Sequence, residues 1–391
     1  MTMHNWLLPE YIEDVLPAEA ARIETLRRTL LDLFKVHGYQ YVIPPMLEYM
    51  ESLTTGAGHD LDLATFKVVD QLTGRLMGVR ADMTPQAARI DAHLLNHQGI
   101  TRLCYAGSVL RTQPDGLARS REPLQLGAEL YGHAGVASDI EIQRLLINAL
   151  HAIGIDQLHM DYSHVNVFGS LIEASQIDRN LEQALYVALQ SKDASAVAAL
   201  ATGLDKATKE ALIQLTTLHG DKAILQKAAE VLPATPSIRL ALESLHQAGT
   251  ALEAMGVKVS YDLSELRGYH YHSGVVFAAY AQGYKGPLAL GGRYDEVGLA
   301  FGRARPATGF SIDLRGIVTA LPSVKSTLAI YAPAVSDQTL IDKIEDLRAS
   351  GHVVVQGLPD EAVDPNYGEL SCDRKLVHYN SGWHVVSIDK N

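Results

Sequence analysis

Between residues 18 and 37 the apolar side chains Ile23, Leu26, Leu30, Leu33 and Phe34 recur at three- and four-residue intervals, the period of one helix face. Pro17 opens that pattern and Gly38 closes it, as a first-turn proline and a terminal glycine do. Residues 39–43 read as a strand that ends at Pro44-Pro45. Residues 53–60, with Gly56 and Gly58, read as a mobile loop; a phosphate cradle would need a following lysine or a βαβ setting. Strands are expected at 68–72 and 76–80, then a helix from Pro85 to about His97, for which Asp82 and Thr84 are natural caps.

The clearest alternation lies further on. A strand pattern over 103–111 leads into a polar loop with Pro114, Asp115 and Gly116. A second strand then carries Leu124, Leu126, Ala128 and Leu130 on one face and Gln125, Gly127 and Glu129 on the other. That hairpin aims Arg111, Gln125 and Glu129 into one concave surface, with Arg119 and Arg121 in the loop. Guanidinium groups so placed suit a carboxylate or a phosphate, although a hairpin with ordinary surface charges has the same pattern. A helix at 139–153 and a strand at 158–162 follow, then a mostly helical, Ala- and Leu-rich stretch over about 167–255 with no visible chemistry. After a strand at 257–263, residues 266–277 concentrate Arg267, Tyr269, His270, Tyr271 and His272 between glycines, more polar aromatics than a plain core strand carries. The end of the chain alternates strand (328–331), helix (337–350) and strand (353–356), with further strands near 377–379 and 384–388.

Composition narrows the classes. The 391 residues allow two or three domains, and 47% hydrophobic content supports a large core. A net charge of −12 argues against a general basic field for nucleic acid. Two cysteines, Cys104 and Cys372, read as reduced residues rather than a disulfide or metal pair. With no basic segment leading into an apolar run and no apolar run of about 18 residues, a cytoplasmic protein with no membrane association is expected.

Residues 105–132 resemble motif 2 of class II aminoacyl-tRNA synthetases in its histidyl-tRNA synthetase form: aromatic-x-Gly, Arg111, a loop, Arg119-Ser120-Arg121-Glu122, Gln125-Leu126-Gly127 and Glu129. The helix, strand and prolines of 17–45 resemble motif 1, the dimer element of that superfamily, and Gly291-Gly292-Arg293-Tyr294-Asp295 with 307–315 resembles motif 3. Arg267, Gly268 and Tyr271 match the histidine signature Arg-Gly-Leu-Asp-Tyr-Tyr, whereas His270 and His272 replace its aspartate and second tyrosine. In that form the segment is more similar to the regulatory subunit family of ATP phosphoribosyltransferase. The implied fold is α+β: a six- or seven-stranded antiparallel sheet flanked by helices in residues 1–325, a helical insertion at about 167–255, and a short C-terminal α/β domain at 326–391.

The departures bear on function. Gln113 stands where the synthetases have the glutamate that reads adenine, and Gly316 where they have the arginine that stacks on it; Arg315 lies one residue early, roughly a 100° rotation on a helix. The 66 residues after 325 carry five Lys/Arg against ten Asp/Glu, where an anticodon domain would need about 100 residues and a basic surface. The amino-acid half of the pocket is retained. The resemblance implies a histidine site with Asp82, Thr84 and Gln125 for the α-ammonium group, Arg267 for the carboxylate, and Glu129 with Tyr271 or His272 for the ring nitrogens; Arg111, the motif 2 arginine that meets the α-phosphate in the synthetases, and Tyr269 also belong to it. It therefore implies a non-catalytic subunit with no cofactor or metal. As a homodimer within a hetero-octamer, it would activate a short ATP phosphoribosyltransferase catalytic subunit, which condenses ATP with phosphoribosyl pyrophosphate in the first step of histidine biosynthesis. L-Histidine would be the feedback effector, and no nucleic acid would bind. The alternatives are a catalytic histidyl-tRNA synthetase or other histidine-adenylating enzyme, and a free-standing histidine-binding module.

Overall fold

The computed structural model describes residues 7–54, 58–114, 120–322, 328–359, 366–367 and 370–388. The chain divides into two compact units, Met1–Asp14 with Ile23–Ala320, and Val15–Arg22 with Leu321–Asn391.

The first helix, α1 (Pro17–Val36), follows the expected period and buries Ile23, Leu30 and Phe34. Gly38 then takes a φ of +85°, a left-handed conformation that suits the residue just past a helix. β1 (Gln40–Tyr41) and β2 (Leu47–Tyr49) precede α2 (Met50–Thr54) and α3 (Gly58–Ala64). The loop expected over 53–60 is thus replaced by helix at both ends, while residues 55–57 lie outside the described residues. β3 (Phe66–Val69) and β4 (Leu76–Val79) complete a three-stranded sheet with β2.

α4 (Thr84–Arg89) passes directly into a π-helical turn at Ile90–Leu95, which Asn96 closes in the left-handed region. Arg305 holds this turn: its guanidinium pairs with Asp91 at 2.7 Å, and both side chains are buried. β5 (Thr101–Ser108) and β6 (Leu124–Tyr131) form the expected hairpin, and α5 (Val136–Ala152) packs against β6. β5 ends before Arg111, which forms an isolated bridge to Thr65 and whose N–H donates to the Arg121 carbonyl at 2.8 Å. Asp115, Gly116 and Arg119 lie outside the described residues. β7 (Leu158–His164) leads into α6 (Val165–Ala174), α7 (Arg179–Gln190), α8 (Ala194–Leu200), α9 (Lys206–Leu215), β8 (His219–Gly220), α10 (Ala223–Val231) and α11 (Pro236–Glu253). Asp178, Asp193, Asp205 and Thr235 each accept a backbone N–H at the start of a helix in this stretch, a cap of about 1 kcal/mol.

β9 (Lys258–Asp262), β10 (Val275–Ala281), β11 (Ala289–Arg293) and β12 (Ala307–Asp313) finish the main sheet, and α12 (Leu314–Ala320) follows. The sheet has nine strands in the order β1-β5-β6-β12-β11-β10-β7-β9-β8. Its six central strands are antiparallel, but β1 joins β5 and β9 joins β7 in parallel. The sheet exceeds the six or seven strands expected because these short outer strands extend both edges. One face carries Leu126, Ala128 and Phe310; Phe34 of α1 meets Phe310 edge-on at 5.9 Å. The opposite face carries the candidate site.

In the second unit β13 (Ala329–Ala332), β14 (Val354–Gln356), β15 (Asn366–Tyr367), β16 (Leu370–Tyr379) and β17 (Gly382–Ser387) build a five-stranded sheet, with α13 (Gln338–Ala349) between β13 and β14 in the chain. Ile330, Ala332, Leu340, Ile344, Val354 and Leu376 form its core. Cys104 and Cys372 are free and buried, and burial pushes the Cys104 thiol up to about 12.

Candidate functional site

Antiparallel pairing puts Tyr105 beside Gly127, Glu129 beside Gly309, and Gly309 beside Gly292. These residues share one sheet face with Gln125 and Asp313, which are also paired. The glycines leave room for site side chains. A Cβ at Gly127 would strike the Tyr105 ring, at Gly309 the Glu129 carboxylate, and at Gly292 the His272 ring. The face is therefore a trough, with its polar side chains folded into the space that missing Cβ atoms provide.

One connected hydrogen-bond network runs along it. Asp82 Oδ1 accepts from the Thr84 N–H at 2.9 Å and from Gln125 Nε2 at 2.7 Å. Gln125 Oε1 accepts from the Met83 N–H at 2.9 Å. Thr84 Oγ1 lies 2.9 Å from the Tyr105 hydroxyl, which donates to Glu129 Oε1 at 2.8 Å. The Tyr294 hydroxyl donates to Glu129 Oε2. Tyr294 stacks on Tyr271 with ring centroids 5.3 Å apart. Asp82 thus holds both the Thr84 N–H and Gln125, but the N-cap position of α4 is Met83 and no side chain caps the helix, so the cap expected of Asp82 and Thr84 does not form.

Glu129 is 1% exposed. Burial raises its carboxyl to about 8, against the opposing effect of the Tyr294 and Tyr105 hydroxyls. Burial also holds both phenols well above their usual range, so they remain donors. The raised carboxyl fixes a sign for stability. Folding favours proton uptake by Glu129 between its ordinary value of 4.5 and about 8, so its contribution falls as pH rises through that window. Glu129→Gln cannot titrate; its thermal stability relative to the unaltered, unliganded chain is expected to be greater at pH 8 than at pH 5. An unchanged difference across that range would place the Glu129 carboxyl in its ordinary range.

Gln125 separates this sealed network from an open cavity of about 570 Å³ lined by Arg111, Arg267, Lys285, Ser311 and Asp313 among others. Arg111 Nε donates to the Ala81 carbonyl at 3.3 Å. Arg267 is pinned by Glu265, which accepts from its backbone N–H at 2.9 Å and from its guanidinium at 3.3 Å. Burial pushes the Asp313 carboxyl up, opposed by the Arg315, Gly316 and Leu124 amides and by Arg111.

The structure thus brings together Asp82, Thr84, Gln125, Glu129 and Tyr271, and sets Arg111 and Arg267 on the adjoining cavity. Tyr269 lies elsewhere. Its ring packs on Phe168 of α6 at 5.1 Å and Tyr186 of α7 at 6.2 Å, because Gly268 turns the chain at a φ of +65° and sends successive side chains to opposite sides. It pins the turn to the helical insertion rather than lining the trough. His272 lies over Gly292 with Nδ1 3.0 Å from the Gly268 carbonyl. A carbonyl only accepts, so Nδ1 carries the proton and Nε2 is an acceptor. Burial lowers the ring to about 4, which keeps it neutral.

Sequence reasoning missed Tyr105 and Tyr294 as ligands of Glu129. The signal for Tyr105 is its register opposite Gly127; Tyr294 stands inside Gly291-Gly292-Arg293-Tyr294-Asp295, a pattern that by itself gives it no partner. Where the synthetases clamp a nucleotide, Gln113 is exposed and Gly316 is buried inside α12. The Arg315 guanidinium donates to the Glu122 carbonyl at 2.8 Å and the Glu13 carbonyl at 3.0 Å, so it is committed to chain packing. Among the described residues no group of three or more His, Cys, Asp or Glu could hold a metal ion, and no helix is long and apolar enough to cross a membrane.

A family model described as histidyl-tRNA synthetase matches residues 11–317, and one described as the ATP phosphoribosyltransferase subunit HisZ C-terminal domain matches residues 326–386. The chain is 68% identical over 385 residues to the ATP phosphoribosyltransferase regulatory subunit of Methylobacillus flagellatus, covering 98% of this chain and 99% of that protein. It is 54% identical over 392 residues to that of Nitrosomonas eutropha, covering 99% and 100%. A solved structure described as an ATP phosphoribosyltransferase regulatory subunit/histidyl-tRNA synthetase from Bacillus halodurans is similar with a TM-score of 0.81 and 28% identity, covering 93% of this chain and 95% of that one. The histidyl-tRNA synthetase of Nostoc sp. PCC 7120 has a TM-score of 0.78 at 17% identity, covering 98% and 97%, a likeness of fold alone.

Proposed function

The chain belongs to the ATP phosphoribosyltransferase regulatory subunit family, and from that premise we propose that its synthetase-like core is an L-histidine sensor. It is a non-catalytic subunit serving histidine biosynthesis, and its partner is a catalytic ATP phosphoribosyltransferase chain. The observation that carries the sensor reading is the linked pair Asp82–Gln125 and Glu129, flanked by tyrosines. Asp82, Thr84 and Gln125 suit an α-ammonium group, and Arg111 and Arg267 suit its carboxylate across the cavity wall. Glu129 and Tyr271 suit the two ring nitrogens. A site with buried polar partners rejects ligands that leave them unpaired.

The nucleotide half supports the loss of synthetase chemistry. Without the stacking arginine, about 0.5–2 kcal/mol of cation–π attraction is lost, and Gln113 weakens the adenine contact. The partner in this reading is a short-form catalytic subunit, assembled with a homodimer of this chain in a hetero-octamer in the cytoplasm, with no nucleic acid bound. Calorimetry is expected to show L-histidine binding and a far weaker response to L-alanine. Histidine-dependent exchange of pyrophosphate into ATP is expected to be absent. Exchange near 1 s⁻¹ or faster, within the ordinary enzyme range, would instead make the chain an adenylating enzyme.

A further inference from the structure

The two oxygens of Glu129 meet the hydroxyls of Tyr105 and Tyr294. The groups facing it are Tyr105 from β5, Tyr131 from β6, Asp82 and Thr84 at the start of α4, Tyr271 from the turn before β10, and Tyr294 after β11. Each of these is neutral or negative near pH 7. His272, over the neighbouring Gly292, is neutral as well. Among the described residues no cation pairs with Glu129. A lone carboxylate sealed among phenols, with Asp82 as a second negative charge, is disfavoured both by desolvation and by repulsion. The hydroxyl of Tyr271 is also buried without a hydrogen-bond partner, so the cage keeps polar capacity for a ring.

We propose that Glu129 carries a proton in the unliganded site and passes it to a ring nitrogen of the ligand on binding, so that the site selects a neutral aromatic nitrogen base over a permanent cation or a non-basic ring. The inference rests on the histidine-sensor reading and deepens it. In the step the Glu129 O–H bond breaks and a ring N–H bond forms. A neutral acid and a neutral base become a carboxylate and a ring cation, and the number of protons held by protein plus ligand does not change. A permanent cation would force Glu129 to lose its proton to solvent. A weakly basic ring would not take it.

Two properties follow. Between the ordinary imidazole value of about 6.5 and the Glu129 value of about 8, binding exchanges no net proton with solvent. Below that window the free ligand must shed a proton, and above it the site must take one up, so affinity declines on both sides.

The test uses the full-length chain. Titration calorimetry with L-histidine inside this window, in two buffers of different ionisation enthalpy, should give heats independent of the buffer. Infrared difference spectra should show loss of a protonated-carboxyl band when histidine is added, and ¹³C-labelled glutamate should shift that band. Glu129→Gln, checked for folding by circular dichroism, should lack the change. An analogue with a triazole ring, a much weaker base of nearly the same shape, should bind at least about tenfold more weakly, the scale of one pKa unit. Uptake of about one proton on binding, or binding with no band lost, overturns this inference and leaves the sensor reading standing. No binding heat with histidine overturns the sensor reading and this inference with it.

Discussion

Glu129→Ala is expected to weaken L-histidine binding by at least about 1.5–3 kcal/mol, the scale of a hydrogen bond to a charged group, or roughly ten- to more than a hundredfold. The Glu129 carboxylate lies opposite Gly309 on the floor of the proposed ring site, and both its oxygens accept hydrogen bonds. Its removal takes away the ring's acceptor and the carboxylate acceptor of two buried phenols, Tyr105 and Tyr294. Tyr294→Phe removes one donor to Glu129 while the carboxylate remains, so its effect should be smaller. Calorimetry on the two variants and the unaltered chain checks the order. Equal affinity in Glu129→Ala and the unaltered chain would move the histidine site elsewhere. The coupling to the partner should split. Glu129 lies sealed in the trough, so its loss should leave activation of the catalytic chain nearly intact.

The largest effect on stability is expected at Asp91. Asp91→Ala should destabilise the chain by about 3–5 kcal/mol, because it leaves the Arg305 guanidinium as a buried charge without its partner. Asp91 is 1% exposed, and Arg305 pairs with both of its oxygens at 2.7 and 2.9 Å. The pair joins the π-helical turn after α4 to the segment before β12, so it also steadies the helix that presents Thr84 and Asp82. Replacing both partners, Asp91→Leu with Arg305→Met, should cost less than Asp91→Ala alone, since an apolar pair leaves no charge stranded. Denaturant unfolding followed by near-ultraviolet circular dichroism measures the order. A loss of less than about 0.5 kcal/mol in Asp91→Ala, the ordinary scale of a surface change, would show that the pair contributes no net stability.

The trough was legible wherever strand alternation ruled. Leu126, Ala128 and Leu130 against Gln125, Gly127 and Glu129 is a period-two pattern, and pairing with β5 and β12 preserves it. The alternation could not show that the polar face is covered as well, because Tyr271, Tyr294 and the start of α4 reach it from distant parts of the chain. Tyr269 was misplaced for a related reason. Four consecutive aromatic or imidazole residues look alike in sequence, and only the left-handed turn at Gly268 decides which of them enter the trough. The π-turn at Ile90–Leu95 is indistinguishable from plain helix in the sequence, since a single widened turn barely disturbs a short apolar period and its anchor, Arg305, lies 214 positions away. Arg315 is the converse case. Its one-residue displacement from the family pattern was visible in the sequence, and its packing against Glu122 and Glu13 gives that displacement a physical consequence.

Sensing matters only if it reaches the partner. Linkage makes any such coupling reciprocal for binding, at roughly 1–3 kcal/mol: if histidine weakens the catalytic chain's hold on phosphoribosyl pyrophosphate, that substrate weakens histidine by the same factor. The most direct measurement mixes this chain with a short ATP phosphoribosyltransferase catalytic subunit and follows turnover while L-histidine is titrated, for the unaltered chain and for Glu129→Ala. Both chains are expected to speed the partner, histidine is expected then to suppress turnover with the unaltered chain, and Glu129→Ala is expected to shift this suppression to much higher concentration. A catalytic subunit that is neither accelerated nor made histidine-sensitive by the unaltered chain would contradict the sensor reading, as would full suppression of the Glu129→Ala complex at the same histidine concentrations.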